Sequence, residues 1–249
     1  MLDNLIVRNF DDATFVFNTQ NRKSLFVEGT IADIVPMFLK HPNKQITESY
    51  IHKIPLSNQA KAREEIELVR KTVQSFLFGL GSENQSTLET VLSAESSETP
   101  MQRLLAYAIK KWQIINASIE LNYHCNLRCQ CCYVGTLKKK GLQRHELQKI
   151  AEQLRKVGAI FILFTGGEIF LRRDVFEIMN DFKQLGFILE VKSNGILLNK
   201  SSISKLANLN LFNLQISIYD TDHHFSDFVG VYYSFSRLLE NIQLVIKQG

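Results

Sequence analysis

Cys125, Cys129 and Cys132 form a Cys-x₃-Cys-x₂-Cys run inside the segment CNLRCQCCY. Thiolates are soft ligands that suit iron–sulfur clusters. A cubane [4Fe–4S] cluster has one iron more than three cysteines can bind, so a single short loop of this kind leaves one iron open. An open position distinguishes a metal site that performs chemistry from one that only holds a fold together. Two other uses of the thiols fit the sequence less well. A disulfide framework needs distant partners, and every cysteine of the chain lies between Cys125 and Cys132. A structural zinc site draws on two well-separated Cys/His pairs, and here there is no second pair, with His124 poorly placed to supply one. The fourth thiol, Cys131, adjoins Cys132; it is read as a small packed hydrophobe, with ligand exchange against Cys132 as the alternative.

The elements around this run alternate between strand and helix. Strands are expected at Ser118–Tyr123, Ala159–Phe164, Phe187–Lys192 and Leu211–Ile218. Helices are expected at Leu142–Val157, Val175–Leu185, Ser201–Leu209 and Ser234–Lys247, the first two stopped by Gly158 and Gly186. Four consecutive β/α units imply a parallel sheet with right-handed crossovers. Ligand sites of such folds collect at the carboxyl ends of the strands, and each expected strand end carries polar chemistry. The first runs into the cysteines, the second into Thr165-Gly166-Gly167-Glu168, the third into Ser193-Asn194-Gly195, and the fourth carries Ser217, Tyr219 and Asp220. Glycines permit close backbone approach, and a carboxylate beside them can accept hydrogen bonds from an ammonium. His223 and His224 follow Asp222 in what reads as a loop, and Lys138–Lys140 reads as a solvated run.

Residues 1–100 carry 10 Lys/Arg against 13 Asp/Glu, and residues 101–249 carry 19 against 12. That asymmetry supports two domains and argues against nucleic-acid binding by the acidic part. The N-terminal part reads as a three-stranded meander (Leu5–Phe10, Ala13–Asn18, Ser24–Glu28) followed by helices. The first helix runs from Thr30 to Lys40 with Pro36 kinking or ending its first part, the second from Thr47 to Lys53, and the third starts after Ser57. Residues 81–100 are rich in Ser, Thr and Glu and read as a linker with a short helix at Leu88–Ala94. The expected fold is α/β: a partial (β/α) barrel of four β/α units over 114–249, preceded by a small α+β winged-helix-like domain over 1–80, with a linker and connecting helix over 81–113. No apolar run approaches the roughly 20 residues of a membrane span, and MLDNLIVRNFDD has neither the basic start nor the apolar core of a signal peptide. A reduced, cytoplasmic setting is expected.

CNLRCQCCY with the downstream TGGE resembles the signature of radical S-adenosylmethionine (SAM) enzymes. GGEIFLRRD is similar to the family's GGE-P-L-L-R-x-D, with Ile169 in place of proline, and QISIYDTDHHFSDFVGVYYSF resembles its fourth-strand segment. The resemblance covers roughly residues 114–249. It implies a [4Fe–4S] cluster on Cys125, Cys129 and Cys132, and S-adenosylmethionine held at its amino end by Gly166, Gly167 and Glu168. Ser193, Asn194 and Ser217 are the implied contacts of its carboxylate and ribose. Cys131 stands where the family usually has an aromatic or histidine residue. The implied reaction is reductive cleavage of SAM, with the electron from an external donor such as a flavodoxin or ferredoxin, followed by hydrogen-atom abstraction from the substrate. The N-terminal part resembles the leader-peptide recognition domain first known from pyrroloquinoline-quinone biosynthesis. That resemblance implies a ribosomally made precursor peptide as substrate, its leader added as a strand on a sheet edge at Ser24–Glu28. Family cores generally have six β/α units where four are expected here, so further sequence or a second polypeptide completing the barrel is expected. Two other functions stay open: a non-catalytic leader-binding module, and an iron–sulfur redox-sensing regulator.

Overall fold

The computed structural model describes residues 4–29, 32–42, 51, 59–78, 98–134, 141–209, 211–221, 223–232 and 235–248. The chain divides into two compact units, Met1–Gln113 and Ile114–Gly249, each with a hydrophobic core of its own.

In the first unit β1 (Leu5–Asn9), β2 (Ala13–Asn18) and β3 (Ser24–Glu28) form an antiparallel meander in that order, leaving β1 and β3 as edges. Every residue of β2 is buried, because both faces of the sheet are covered. Val16, Leu25 and Val27 pack against Ile34, against Val35 and Phe38 of α1 (Val35–Lys40), and against Ile66, Val69 and Val73 of α2 (Gln59–Phe78). Alternation sends Phe26 to the opposite face, where its ring meets Tyr107 of α3 (Pro100–Lys111) edge-on at 5.6 Å. Tyr107 donates from its hydroxyl to Asp12 Oδ1 at 2.7 Å, and Lys111 pairs with Asp12 Oδ2 at 2.9 Å. The connecting helix expected before residue 113 is therefore a packed layer of this unit. Thr99 caps it in a reciprocal capping box with Gln102, and Pro100 occupies its first turn.

The stretch expected as one helix with its first part ended at Pro36 is indeed divided there: a 3₁₀ turn at Ala32–Ile34 stops just ahead of it, and Pro36 sits in the first turn of α1, where its missing N–H costs nothing. Of the expected Thr47–Lys53 helix only Ile51 is described, fully buried in the core. The expected Leu88–Ala94 helix and the Lys138–Lys140 run lie outside the described residues.

The second unit is α/β. Strands β4 (Asn116–Glu120), β5 (Phe161–Thr165), β6 (Ile188–Ser193) and β7 (Asn213–Ile216) form a wholly parallel sheet in sequence order. Between them run α4 (Arg144–Lys156), α5 (Val175–Gln184) and α6 (Lys200–Leu209). Register aligns Ile119 with Phe164 and Phe164 with Val191. These side chains meet Leu147, Ala151, Ile178, Met179, Phe182, Ile203 and Leu206 of the helices in one core. The opposite face carries Ser118, Glu190 and Lys192, none of them buried. After β7 come α7 (His223–Val229) and α8 (Phe235–Gln248). Helix α7 corrects the expectation that His223 and His224 lie in a loop: they open a short helix whose Phe225 and Val229 are buried with Leu127 and Leu238 in a second small core.

Candidate functional site

The segment between β4 and α4 carries all four cysteines, and the chain fixes it at both ends. Arg172 Nη1 donates to Leu121 O and to Leu142 O, each at 2.7 Å. Its Nε holds Asp174 Oδ1 at 2.7 Å, and the guanidinium pulls the Asp174 carboxyl below its ordinary range. Gly141 lies so close to Leu121 that a Cβ would stand 2.1 Å from Leu121 O. One arginine fork thus closes the cysteine segment, a geometry that a lysine point charge cannot reproduce.

The Gly166–Gly167 pair lies against the root of the same segment. Gly167 N donates to Asn122 O at 2.9 Å and Glu168 N to His124 O at 2.8 Å. A Cβ on Gly166 would fall 2.4 Å from Asn122 O, and one on Gly167 2.2 Å from His124 O. The glycines are required here because two backbones run side by side with no room for a side chain.

Glu168 is fully buried. Ser193 Oγ donates to both of its carboxylate oxygens at 3.0 Å, Asn194 N to Oε2 at 2.9 Å and Phe170 N to Oε1 at 3.1 Å. Burial raises the Glu168 pKa, and these donors oppose the shift. With its backbone nitrogen fixed in this way, Asn194 turns its side chain to the cysteines. Asn194 Nδ2 donates to Asn126 Oδ1 at 2.9 Å and lies 3.8 Å from Cys125 Sγ, which also receives Leu127 N at 3.4 Å. Glu168, Ser193, Asn194 and Cys125 are brought into one connected network. Ser217 adjoins it through the backbone, its N donating to Ser193 O at 3.0 Å.

Two contributors carry no obvious mark in the sequence, and a third, Tyr219, was legible only as polar chemistry at the fourth strand end. The carboxyl end of α7 grips the cysteine segment: Arg128 N donates to Val229 O at 2.7 Å and Gln130 N to Phe228 O at 3.0 Å. Gly230, at φ +67°, lies where a Cβ would meet Arg128 O at 2.6 Å. Asn241, buried on α8, donates from Nδ2 to Gly195 O and Ile196 O at 3.1 Å each, fixing the turn after β6. Tyr219 stacks on Phe228 with ring centroids 5.1 Å apart; burial raises its pKa, and the charges of Cys129, Cys131 and Cys132 push it the same way. A positive-φ glycine and a lone polar residue in an apolar helix face are the only signals that could have pointed to the first two.

Burial lifts the Cys129 thiol to about 11, with Cys125, Cys131 and Cys132 adding to the rise, and burial likewise raises Cys125. Thiols that disfavour each other's ionisation are what a cationic metal centre reverses on binding. Among the described residues no three His, Cys, Asp or Glu side chains converge as ligands of a single ion; a cubane instead takes one thiolate per iron. Two buried polar atoms of this segment lack a hydrogen-bond partner, Asn122 Oδ1 and Asn126 Nδ2. The set of free thiols on one short segment, Cys125 and Cys132 exposed and Cys129 half-buried, suits a thiolate-ligated cluster.

The family model described as the radical SAM superfamily matches residues 119–249. The chain belongs to the radical SAM superfamily. Its cofactors are those of the family, a [4Fe–4S] cluster and S-adenosylmethionine. The chain is 26% identical over 115 residues to the PqqA peptide cyclase of Rhodopseudomonas palustris, covering 45% of this chain and 30% of that protein. It is 33% identical over 135 residues to a probable GTP 3′,8-cyclase of Saccharolobus solfataricus, covering 53% of this chain and 43% of that one. The chain therefore spans less than half the length of these curated relatives. In fold it is similar to Streptococcus suis SuiB, solved with precursor peptide SuiA, at TM-score 0.56 and 14% identity over 99% of this chain and 54% of SuiB. SuiB bound to S-adenosylmethionine matches at the same TM-score and 15% identity, over 99% of this chain and 54% of SuiB. No helix among the described residues is long and apolar enough to cross a membrane.

Proposed function

We propose that this chain is the SAM-binding part of a radical SAM enzyme that modifies a ribosomally made precursor peptide. One observation carries most weight: the Gly166–Glu168 backbone and the Glu168–Ser193–Asn194 network both end on the cysteine segment. Three strand ends are thereby tied to one point at the carboxyl edge of a parallel sheet, the position where such folds bind ligands. When bound, the cluster and S-adenosylmethionine supply reductive cleavage of the sulfur–C5′ bond and hydrogen-atom abstraction.

The chain's own groups do the positioning. Cys125, Cys129 and Cys132 hold the cluster, and the Arg172 fork and the α7 carboxyl end keep their segment in place. Gly166, Gly167 and Glu168 frame the amino end of S-adenosylmethionine, Glu168 from behind the glycines with its carboxylate taken up by Ser193, Asn194 N and Phe170 N, and Ser193, Asn194 and Ser217 lie toward its carboxylate and ribose. A flavodoxin or ferredoxin supplies the electron. The architecture proposed for 114–249 is a partial (β/α) barrel, in which a polypeptide completing the barrel pairs with the outer edge of β7.

For the first unit we propose a winged-helix-like leader-recognition role, the precursor's leader adding a strand at the β3 edge. The fold likeness to SuiB, solved with its precursor peptide, and the match to the PqqA peptide cyclase support a peptide substrate. A reduced, cytoplasmic setting suits such a cluster. The test is anaerobic reconstitution with iron and sulfide, followed by electron paramagnetic resonance of the reduced chain. A [4Fe–4S] signal whose g-values change on adding S-adenosylmethionine, and which is lost with Cys125→Ala, is expected. A signal indifferent to S-adenosylmethionine would remove the proposed site.

A further inference from the structure

Wholly parallel sheets are ordinarily covered, and apolar, on both faces. The sheet of the second unit is apolar throughout on one face only. Ile119, Phe164, Val191 and Leu214 pack toward the helices. Alternation puts Glu120, Thr165, Lys192 and Gln215 on the other face in one row, Glu120 aligned with Thr165 and Lys192 with Gln215. It is the last row before the site, since the next residues along β4, β5 and β6 are Leu121, Gly166 and Ser193. The far end of the same face is apolar and closed: Phe161 and Ile188 are buried, and the Phe161 ring lies 6.1 Å from that of Phe212.

Two members of the row carry charge without a partner. Lys192 is exposed and Glu120 half-buried, and among the described residues neither side chain takes part in a hydrogen bond or ion pair. Glu190, two residues before Lys192 on the same face, is held instead by Asn213, whose Nδ2 donates to its Oε2 at 3.3 Å. Glu120 and Lys192 stand two strand spacings apart, about 10 Å. Between them runs β5, the strand that ends in Gly166 and Gly167. Three residues of extended peptide span the same distance, about 10 Å.

We propose that this row reads charge in the substrate peptide: Lys192 takes a side-chain carboxylate and Glu120 a cationic side chain three residues away, so that the residues between them lie at the end of β5. The contacts are ionic, and no covalent bond is made. The inference rests on the peptide-substrate reading above and adds to it the charge pattern of the segment presented to the site.

The test is titration of the full chain, reconstituted anaerobically with S-adenosylmethionine, into three acetylated and amidated hexapeptides, followed by broadening of the peptide proton resonances. The peptides are Gly-Lys-Gly-Gly-Glu-Gly and its two versions with Gln in place of Lys or of Glu. The wild type should bind the doubly charged peptide best and lose up to about fivefold with each neutralisation, the worth of one partly exposed ion pair. Lys192→Met should abolish the preference for the Glu-containing member of its pair, and Glu120→Gln the preference for the Lys-containing one. Equal or absent binding of the three peptides by the wild type overturns the proposal, and so does discrimination that survives in the variants. Loss of the S-adenosylmethionine-induced g-value change in Lys192→Met with a full cluster also overturns it, because Lys192 would then be a contact of that cofactor. Should a variant fail to fold, the wild-type comparison of the three peptides decides. A wild-type signal indifferent to S-adenosylmethionine refutes the cofactor site, while the peptide comparison in the same sample is decided on its own result.

Discussion

At the scale of the residue, Glu168 gains a role that its motif does not announce. A carboxylate beside two glycines suggests a group facing a ligand, yet its oxygens are engaged by Ser193, Asn194 N and Phe170 N. Glu168→Gln puts an amide donor among donors, and a loss of about 1–3 kcal/mol in urea-unfolding free energy is expected. The pH dependence has a definite sign. Burial raises the folded-state pKa above the ordinary glutamate value, so the native state keeps this proton longer than the unfolded chain. Its contribution is full below the unfolded value and falls as pH rises through the folded one; unfolding of Glu168→Gln across that range should be flatter with pH than that of the wild type. The cysteines, Gly166, Gly167 and Glu168 could be picked out from the sequence because their types and spacing are chemically unusual. Asn241 and Asn126 could not, since a single asparagine has no spacing to read and its partners are fixed only by the fold.

At the scale of the element, the cysteine segment is as much a product of its neighbours as of its own residues. Gly230 and Gly29 both have positive φ, +67° and +86°. A Cβ at Gly29 meets nothing within 4 Å, whereas at Gly230 it meets Arg128 O at 2.6 Å. Gly29→Ala is expected to cost about 1 kcal/mol by backbone conformation alone, and Gly230→Ala about 1–3 kcal/mol more through overpacking. Iron bound per reconstituted chain separates them further: it should drop in Gly230→Ala and hold in Gly29→Ala. Arg172→Lys should release iron faster to a chelator than the wild type does, because one point charge cannot serve Leu121 O, Leu142 O and Asp174 together. Periodicity made the strands and long helices legible, with ends shifted by one to three residues where capping and pairing decide. It could not mark α7, seven residues long and opening on two histidines, because so short a run shows fewer than two full turns of its pattern. Pro36 marked the division of the first helical stretch but left open whether it kinks one helix or begins a second, since its effect depends on whether it falls in the first turn or the interior of a helix.

At the scale of the whole molecule, two units have separate cores, and the proposed function assigns the peptide to the first and the cofactors to the second. The acidic balance of the first hundred residues against the basic remainder pointed to two units, though not to α3 closing the first by packing on β3. Only the second unit gains from the cluster, so reconstitution should raise the midpoint of one calorimetric transition and leave another unmoved. A single transition shifted as a whole would tie the units together energetically. The central claim concerns the chemistry at the sheet's carboxyl edge, and its most direct test is 5′-deoxyadenosine formation. The reconstituted, reduced chain supplied with S-adenosylmethionine should produce it, and Cys125→Ala, Cys129→Ala and Cys132→Ala should each abolish it. A fully loaded cluster that yields no 5′-deoxyadenosine, or product formed equally by the cysteine variants, would contradict the account.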